Sequence, residues 1–517
     1  MVRAETESSL WSKRENQIAV LIMKKGAAPA RSSYNFDVSK VTQLVDCRAL
    51  SWIWGEKVNK RSCNDSLYSS CCISTDDYIS RLPDDVLVTI LSRLTFREAA
   101  RISVVSRRWR CLWTFYPGLL DFDASSTVLE IKNKSYEERE LILPIEQRKF
   151  VNSVNQALKQ YQGLSVDELK ICFDVDQYKR EIDSWIHFAK EKDVKKFRLD
   201  LRSCTKWPFG DYSFPLQSRS SSSFNSLTAL HLISVEVTGK VIEHLLSNSP
   251  FLEGLHVERS SCLGDLKVSS SSVKLKYLVL AYNLVENVEI SAKDLVSFKY
   301  HGRKTNMSLM DVPRLTEVSV GGPYCDHLLE DMLSDFSSYL SQLEELSLCR
   351  GFKTFDDYLN FLELQMNWGI PIQKFSGLNN LKQMQLILDV FDEEGLLYSR
   401  SLIEASPSLH RLSLQLRPRP KEMFGEMTWR STGGQKHQSL KVVEIVGFTG
   451  LTYDLELALD LVKYAVSLQK LIIDPRQLFW SEEESSSNED TRELEAARNR
   501  AQKMQAKLPS RVELEIL

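Results

Sequence analysis

Residues 275–280 read LKYLVL, and residues 468–473 read LQKLII. In both, apolar side chains stand at the first, fourth and sixth positions. The fourth and sixth alternate across one intervening residue, as a strand with one buried face requires. The first sits on the turn leading in. Working outward, the spacing recurs at Leu227-Leu230-Leu232, Leu252-Leu255-Val257, Leu295-Phe298-Tyr300 and Leu315-Val318-Val320. It continues at Leu343-Leu346-Leu348, Leu381-Met384-Leu386, Leu409-Leu412-Leu414 and Leu440-Val443-Ile445. Successive starts lie 20 to 38 residues apart.

Such tandem spacing is the signature of a leucine-rich repeat. One unit cannot bury its apolar strand face alone, so neighbours stack into a curved solenoid with a parallel sheet on one side. Helix-like runs precede several units, as VIEHLLSNSP (241–250) and SLIEASPS (401–408). The spacing is uneven, and the interval from 343 to 381 implies an inserted helix or loop. The expected fold class is α/β: a small three-helix module followed by an irregular leucine-rich repeat solenoid with a parallel β-sheet.

The helical module is read from residues 78–114. Leu87, Ile90, Leu91 and Leu94 form an apolar stripe at helical spacing behind Pro83-Asp84-Asp85, where carboxylates suit a helix start. Thr95 and Glu98 form a capping box for a second helix carrying Ala99, Ala100 and Ile102. A third begins near Ser106 and carries Trp109, Leu112 and Trp113. A unit this small needs a neighbour or a partner to bury enough surface. Residues 1–75 show no sustained periodicity and are read as a poorly ordered extension, or as a product of misplaced gene boundaries.

Composition narrows the function classes. The 517 residues are 43% hydrophobic and 26% charged, with a formal net charge of −3. That balance suits a globular chain and gives no overall signal for nucleic acid. No apolar run reaches the roughly 18–20 residues of a membrane span, and the opening residues do not resemble a signal peptide. The ten cysteines are scattered, with no CxxC pair and no zinc pattern, and read as free thiols in a reducing compartment. A cytosolic or nuclear protein is expected.

Catalysis has no anchor in the sequence. HExxH, GxSxG, GxGxxG and P-loop motifs are missing. His187, His231, His256 and His410 read as packed or solvated structural histidines. Serine runs at 218–223 and 269–272 read as linkers, and no cofactor or metal is implied.

Binding has two anchors. Residues Arg81-Leu82-Pro83-Asp84-Asp85-Val86-Leu87, Ile90-Leu91-Ser92-Arg93-Leu94 and Ala99 to Trp109 closely resemble the F-box family. The resemblance implies docking to a Skp-type adaptor and, through it, to a cullin–RING ubiquitin ligase of the SCF type. By position, Leu82 and Pro83 would enter the adaptor groove. Leu87, Ile90, Leu91 and Leu94 would extend the contact, and Val105, Ser106 and Trp109 would close it. Some of these must also hold the module together, and sequence does not separate the two roles. The second anchor is the C-terminus. Leu440 to Gly450, Glu456 to Leu459, Ala465 to Ile473 and Ala501 to Leu517 resemble the FBD module that ends a large plant family of F-box/LRR proteins. It reads as a further strand–helix–strand repeat capping the solenoid. The acidic insert Ser481 to Asp490 interrupts it, as a solvated loop or a phosphorylation site.

The expected division is an extension at 1–75, an F-box at 76–122, repeats at 123–430 and an FBD-like module at 431–517. The expected role is a non-catalytic substrate receptor, with an unknown client protein on the solenoid and neither nucleic acid nor membrane as partner. A plain scaffold and a small-molecule sensor are the alternatives. A sensor would need a basic cluster, for which Lys195, Lys196, Arg198, Arg202, His410 and Arg411 are scattered candidates.

Overall fold

The computed structural model describes residues 82–92, 94, 99, 107–204, 209–215, 224–269, 274–331, 333–349, 375–389, 393–417, 436–476 and 491–517. The 1–75 extension, the Thr95–Glu98 capping box, Val105, Ser106, the 218–223 serine run and the Ser481–Asp490 insert lie outside them, as does most of the long 343–381 interval. The described residues fall into two compact units.

The first unit comprises residues up to 122 together with 148–168. It holds α1 (Asp84–Leu91), α2 (Arg107–Leu112), a 3-10 turn (Trp113–Phe115) and most of β1 (Leu119–Asp123). Helix α1 stops at Leu91, because Ser92 turns its hydroxyl back to the Thr89 carbonyl (2.8 Å). Leu94, the last member of the apolar stripe, therefore lies beyond the helix and donates its N–H to the Leu91 carbonyl (3.0 Å). The neighbour that this small module needs comes from residues 148–168, outside the 76–122 stretch expected to form it. Val151, Val154, Leu158 and Tyr161 are buried there. Gln162 and Gly163 both donate backbone N–H groups to the Thr114 carbonyl (2.8 and 3.1 Å).

The second unit comprises residues 123–147 and 169–517. It opens with α3 (Ser125–Lys132) and the first half of α4 (Tyr136–Gln160), then β2 (Glu168–Cys172), α5 (Lys179–Glu191), β3 (Lys196–Asp200) and β4 (Ala229–Ile233). Next come α6 (Gly239–Asn248), β5 (Gly254–Glu258), β6 (Gly264–Ser269), β7 (Tyr277–Ala281), β8 (Val285–Ser291), β9 (Ser297–His301), β10 (Asn306–Leu309) and β11 (Glu317–Gly321). The remainder is α7 (Pro323–Glu330), β12 (Glu345–Cys349), β13 (Gln383–Asp389), α8 (Glu393–Glu404), β14 (Arg411–Arg417), β15 (Val442–Val446), α9 (Thr452–Tyr464), β16 (Lys470–Asp474), α10 (Thr491–Met504) and β17 (Glu513–Ile516).

The main sheet runs β2-β3-β4-β5-β7-β9-β11-β12-β13-β14-β15-β16-β17. Its register places the apolar positions read from sequence in two columns. Leu230, Leu255, Leu278, Phe298, Val318 and Leu346 are successive Cα partners. Met384, Leu412, Val443, Leu471 and Leu514 continue that column. The column two residues later runs from Leu232 to Ile516 in the same way. The described members from Leu230 to Leu471 are buried. The pattern is present before Leu227: Val194, Phe197 and Leu199, on β3 and the turn leading into it, are buried at the same spacing, and β2 buries Leu169 and Ile171 in the same alternation. The unit at 194–199 lies inside the expected repeat region but is not among the units quoted from sequence, because valine and phenylalanine replace leucine at its first two positions.

Repeat length decides what covers the buried face. Starts at 252, 275, 295 and 315 are only 20 to 23 residues apart, too short for two turns and a helix. Here the return leg is a strand, and β10-β8-β6 form a second parallel sheet. Its edge carries a polar ladder: Asn306 Nδ2 donates to Asn287 Oδ1 (2.9 Å), and Asn287 Nδ2 to Asp265 Oδ1 (2.6 Å). Longer repeats return through helices such as α6, whose Val241, Ile242, Leu245 and Leu246 are buried. At the C-terminal end, Asp454 holds the start of α9, accepting from the Thr449 and Gly450 N–H groups (2.7 and 3.0 Å). Strand β17 then ends the sheet order.

Candidate functional site

In the first unit, α1 divides the stripe assigned to the adaptor. Leu87 and Leu91 are 0% exposed, and Leu94 and Trp109 are also buried. Ile90 and Leu82 are half-buried, Pro83 is exposed, and Val86 is 39% exposed. Leu82, Pro83, Val86 and Ile90 thus present the apolar surface, while Leu87, Leu91, Leu94 and Trp109 form the interior. Val105 and Ser106 fall outside the described residues. Arg108 is the residue that sequence reading passed over. Its Nε and Nη2 donate to Asp84 Oδ1 (2.8 and 2.6 Å), and Nη2 also donates to the Leu82 carbonyl. One guanidinium fork thereby ties the Leu82–Asp84 segment to α2. The signal was present in the Ser-Arg-Arg-Trp run, but no spacing rule links positions 84 and 108.

In the second unit, the residues between the buried columns form a row on the open face of the sheet. From β3 to β11 the row is Arg198, His231, His256, Val279, Lys299 and Ser319. From β12 to β17 it is Ser347, Gln385, Ser413, Glu444, Ile472 and Glu515. The early half carries cations and the later half carboxylates. Of the scattered basic candidates, Lys196, Arg198 and Arg202 come together on β3 and just past it. Arg411 lies on β14, where it pairs with Glu444 (2.8 Å).

The residue that follows each strand sets the rim of this face. Ser234, Arg259 and Tyr282, with Gly322 and Gly447, occupy this place with positive φ. Each donates its N–H to the next strand's end, as Arg259 does to the Ala281 carbonyl (3.0 Å) and Tyr282 to the His301 carbonyl (2.6 Å). Glycine suits the position: a Cβ on Gly447 would meet the Leu416 carbonyl oxygen at 2.3 Å. A residue with a Cβ in this left-handed region costs about 1–2 kcal/mol, so Arg259 and Tyr282 are held at φ 57° and 56° against a steric penalty. Both side chains line a cavity of about 380 Å³, with Arg198, Arg202, His256 and Lys299 among the other lining residues.

A family profile described as the At1g61320/AtMIF1 LRR domain matches residues 218–517, more than half of the chain. The chain belongs to that leucine-rich repeat family. A second profile, the F-box domain, matches residues 79–117. Similar proteins from Arabidopsis thaliana share the combination. F-box/FBD/LRR-repeat protein At1g13570 is 25% identical over 403 residues, covering 74% of this chain and 86% of that protein. Putative F-box/LRR-repeat protein At1g56400 is 25% identical over 441 residues, covering 72% and 83%. F-box/FBD/LRR-repeat protein At5g53840 is 23% identical over 369 residues, covering 66% and 75%.

The electrostatics of this F-box/LRR protein concentrate at the cavity. Asp200 is buried and accepts from Arg202 through both oxygens (2.9 and 2.8 Å) and from Arg198 Nη2 (3.2 Å). Glu258 lies 3.3 Å from His256 Nε2 and 3.8 Å from Arg259 Nε. Burial alone would raise the Glu258 pKa. The adjacent His256 imidazole and the Arg259 and Arg202 charges outweigh it and bring it down to about 2. Burial of His231, with His256, Arg198 and Lys196 nearby, lowers its pKa to about 4. It stays neutral at physiological pH, contributing no charge to the face. Among the described residues, no three His, Cys, Asp or Glu side chains converge to hold a metal ion. No described helix is long and apolar enough to cross a membrane.

Proposed function

We propose that this protein is the substrate receptor of an SCF-type cullin–RING ubiquitin ligase. The F-box edge docks a Skp-type adaptor, and the repeat sheet holds a client protein. The observation that carries the reading is the apolar edge of Leu82, Pro83, Val86 and Ile90 on a module whose own interior is filled by other leucines. Each side chain would contribute ~1.5–3 kcal/mol of gross burial, reduced by the cost of association. The receptor is non-catalytic. It raises the local concentration of client lysines near a ubiquitin carrier, and bond formation belongs to the other subunits. Such a complex operates in the cytosol or nucleus, which the scattered free cysteines suit.

The test is co-purification. Leu82→Ala with Pro83→Ala is expected to abolish capture of the adaptor and cullin while leaving the thermal transition unchanged. Undiminished capture would remove the docking claim. Deleting residues 78–114 is expected to leave client binding intact. Client binding that disappears with the F-box, from a chain whose repeats stay folded, would overturn the division of labour.

A further inference from the structure

The open face of the repeat sheet is asymmetric. On strands β3 to β11 and the residues just past them, Lys196, Arg198, Arg202, Arg259 and Lys299 face the carboxylates Asp200, Glu258 and Glu317. The pairs leave an excess of positive charge. Asp200 is shared by two arginines, and Glu258 is shared by Arg259 and His256. Lys299 pairs with Glu317 at 2.5 Å. Arg198 Nε is buried and has no hydrogen-bond partner among the described residues. The chain as a whole is acidic, at −3, so this strip opposes the overall charge.

Two features mark the strip as more than a solvated face. The first is the choice of residue at the rim. Gly322 and Gly447 meet the left-handed backbone without strain, yet Arg259 and Tyr282 stand at the same repeat position and present their side chains to the cavity. Strained non-glycine positions of this kind cluster at functional sites. The guanidinium of Arg259 lies 5.9 Å from the Tyr282 ring centre, and Tyr282 lies 4.6 Å from the His301 ring. The second feature is extent. Strands β3, β4, β5, β7 and β9 are consecutive neighbours, so Arg198 and Lys299 are separated by four strand spacings, ~19 Å. That is the reach of about six extended residues, a strip rather than a point site.

We propose that the strip from Arg198 to Lys299, with Arg259 and Tyr282 at its rim, binds an extended acidic segment of a client protein. Carboxylates of the segment would bridge Arg198, Arg259 and Lys299. This rests on the reading of the repeat sheet as the client-holding surface.

The test uses the purified full-length chain and fluorescein-labelled hexaglutamate, followed by fluorescence anisotropy. Saturable binding that weakens with salt is expected, whereas hexalysine is expected not to saturate. Arg198→Gln and Arg259→Gly are each expected to weaken binding at least tenfold. Because glycine relieves the backbone at position 259, Arg259→Gly should melt no lower than the parent, which separates lost recognition from lost folding. Lys470→Gln, on the same sheet at β16, is expected to bind as the parent does. The proposal is overturned if hexaglutamate does not saturate, if Arg259→Gly binds undiminished, or if Lys470→Gln is equally impaired. It is also overturned if millimolar inorganic phosphate displaces the peptide completely, which would mark a simple anion site. Adaptor capture is measured on the same preparations. A parent that fails to capture adaptor but shows this peptide pattern would sink the ligase reading and leave the acidic-segment site standing.

Discussion

The helical unit and the repeat sheet solve the same problem in different ways. In the sheet, strand periodicity assigns every residue a face, and parallel register repeats the assignment from strand to strand. Leu278 and Leu280 are core because Leu255 and Val257 are core. In α1, no such repetition exists. Leu87 and Leu91 are buried while Ile90 and Val86, on the same short helix, are not. The apolar stripe read from sequence splits: Leu87, Leu91 and Leu94 are interior, while Ile90 is only half-buried and shares the outer side with exposed Val86. Repetition makes buried and open positions legible in the sheet; in a single small helix they emerge only from what packs around it.

The largest effects should come from emptying the two cores. Leu91→Ala in α1 and Leu278→Ala in β7 each remove a fully buried side chain, and each is expected to cost about 2–5 kcal/mol. Hydrogen exchange should localise the first loss to the helical unit and the second to the repeats around β7. Loss spreading equally through both units in either variant would contradict the division into two. The next effect is pH-dependent and belongs to the sheet alone. Unfolded His231 gains a proton below about pH 6.5, but the folded histidine resists until about pH 4. Between these values the unfolded state binds more protons, so stability falls as pH drops, by up to about 3 kcal/mol. Denaturant titrations at pH 7.5 and 4.5 should show a smaller difference in His231→Val, a replacement that copies Val279 at the equivalent place. An unchanged difference would remove His231 from the account.

Smaller effects of opposite sign should appear at one repeat position. Gly447→Ala must place a Cβ against the Leu416 carbonyl and is expected to lose at least about 1–2 kcal/mol. Arg259→Gly releases a comparable strain but adds unfolded-state freedom, for a net gain of no more than about 1 kcal/mol. Thermal melts of the pair give the two signs directly. At the bottom of the scale, Leu82→Ala in the helical unit should change stability by less than about 0.5 kcal/mol. A larger loss would mean that this residue belongs to the interior after all.

The sequence by itself determined the repeat architecture, because a period-two strand pattern with a fixed lead-in leucine can be satisfied only by stacking copies of itself. It also located the F-box, through Leu82-Pro83-Asp84 and the Trp109 run. The tertiary structure alone decided the rest. Residues 148–168 joined the helical unit through hydrogen bonds to Thr114 that no local pattern announces. Short repeats exchanged helices for β6, β8 and β10, since too few residues remained for a helical return. Arg108 met Asp84 and Leu82 across an intervening stretch of chain. Arg198 and Lys299, far apart along the chain, fall on one line because parallel register brings one residue of every strand onto it, and Arg202 and Arg259 stand just past the ends of β3 and β5 beside that line.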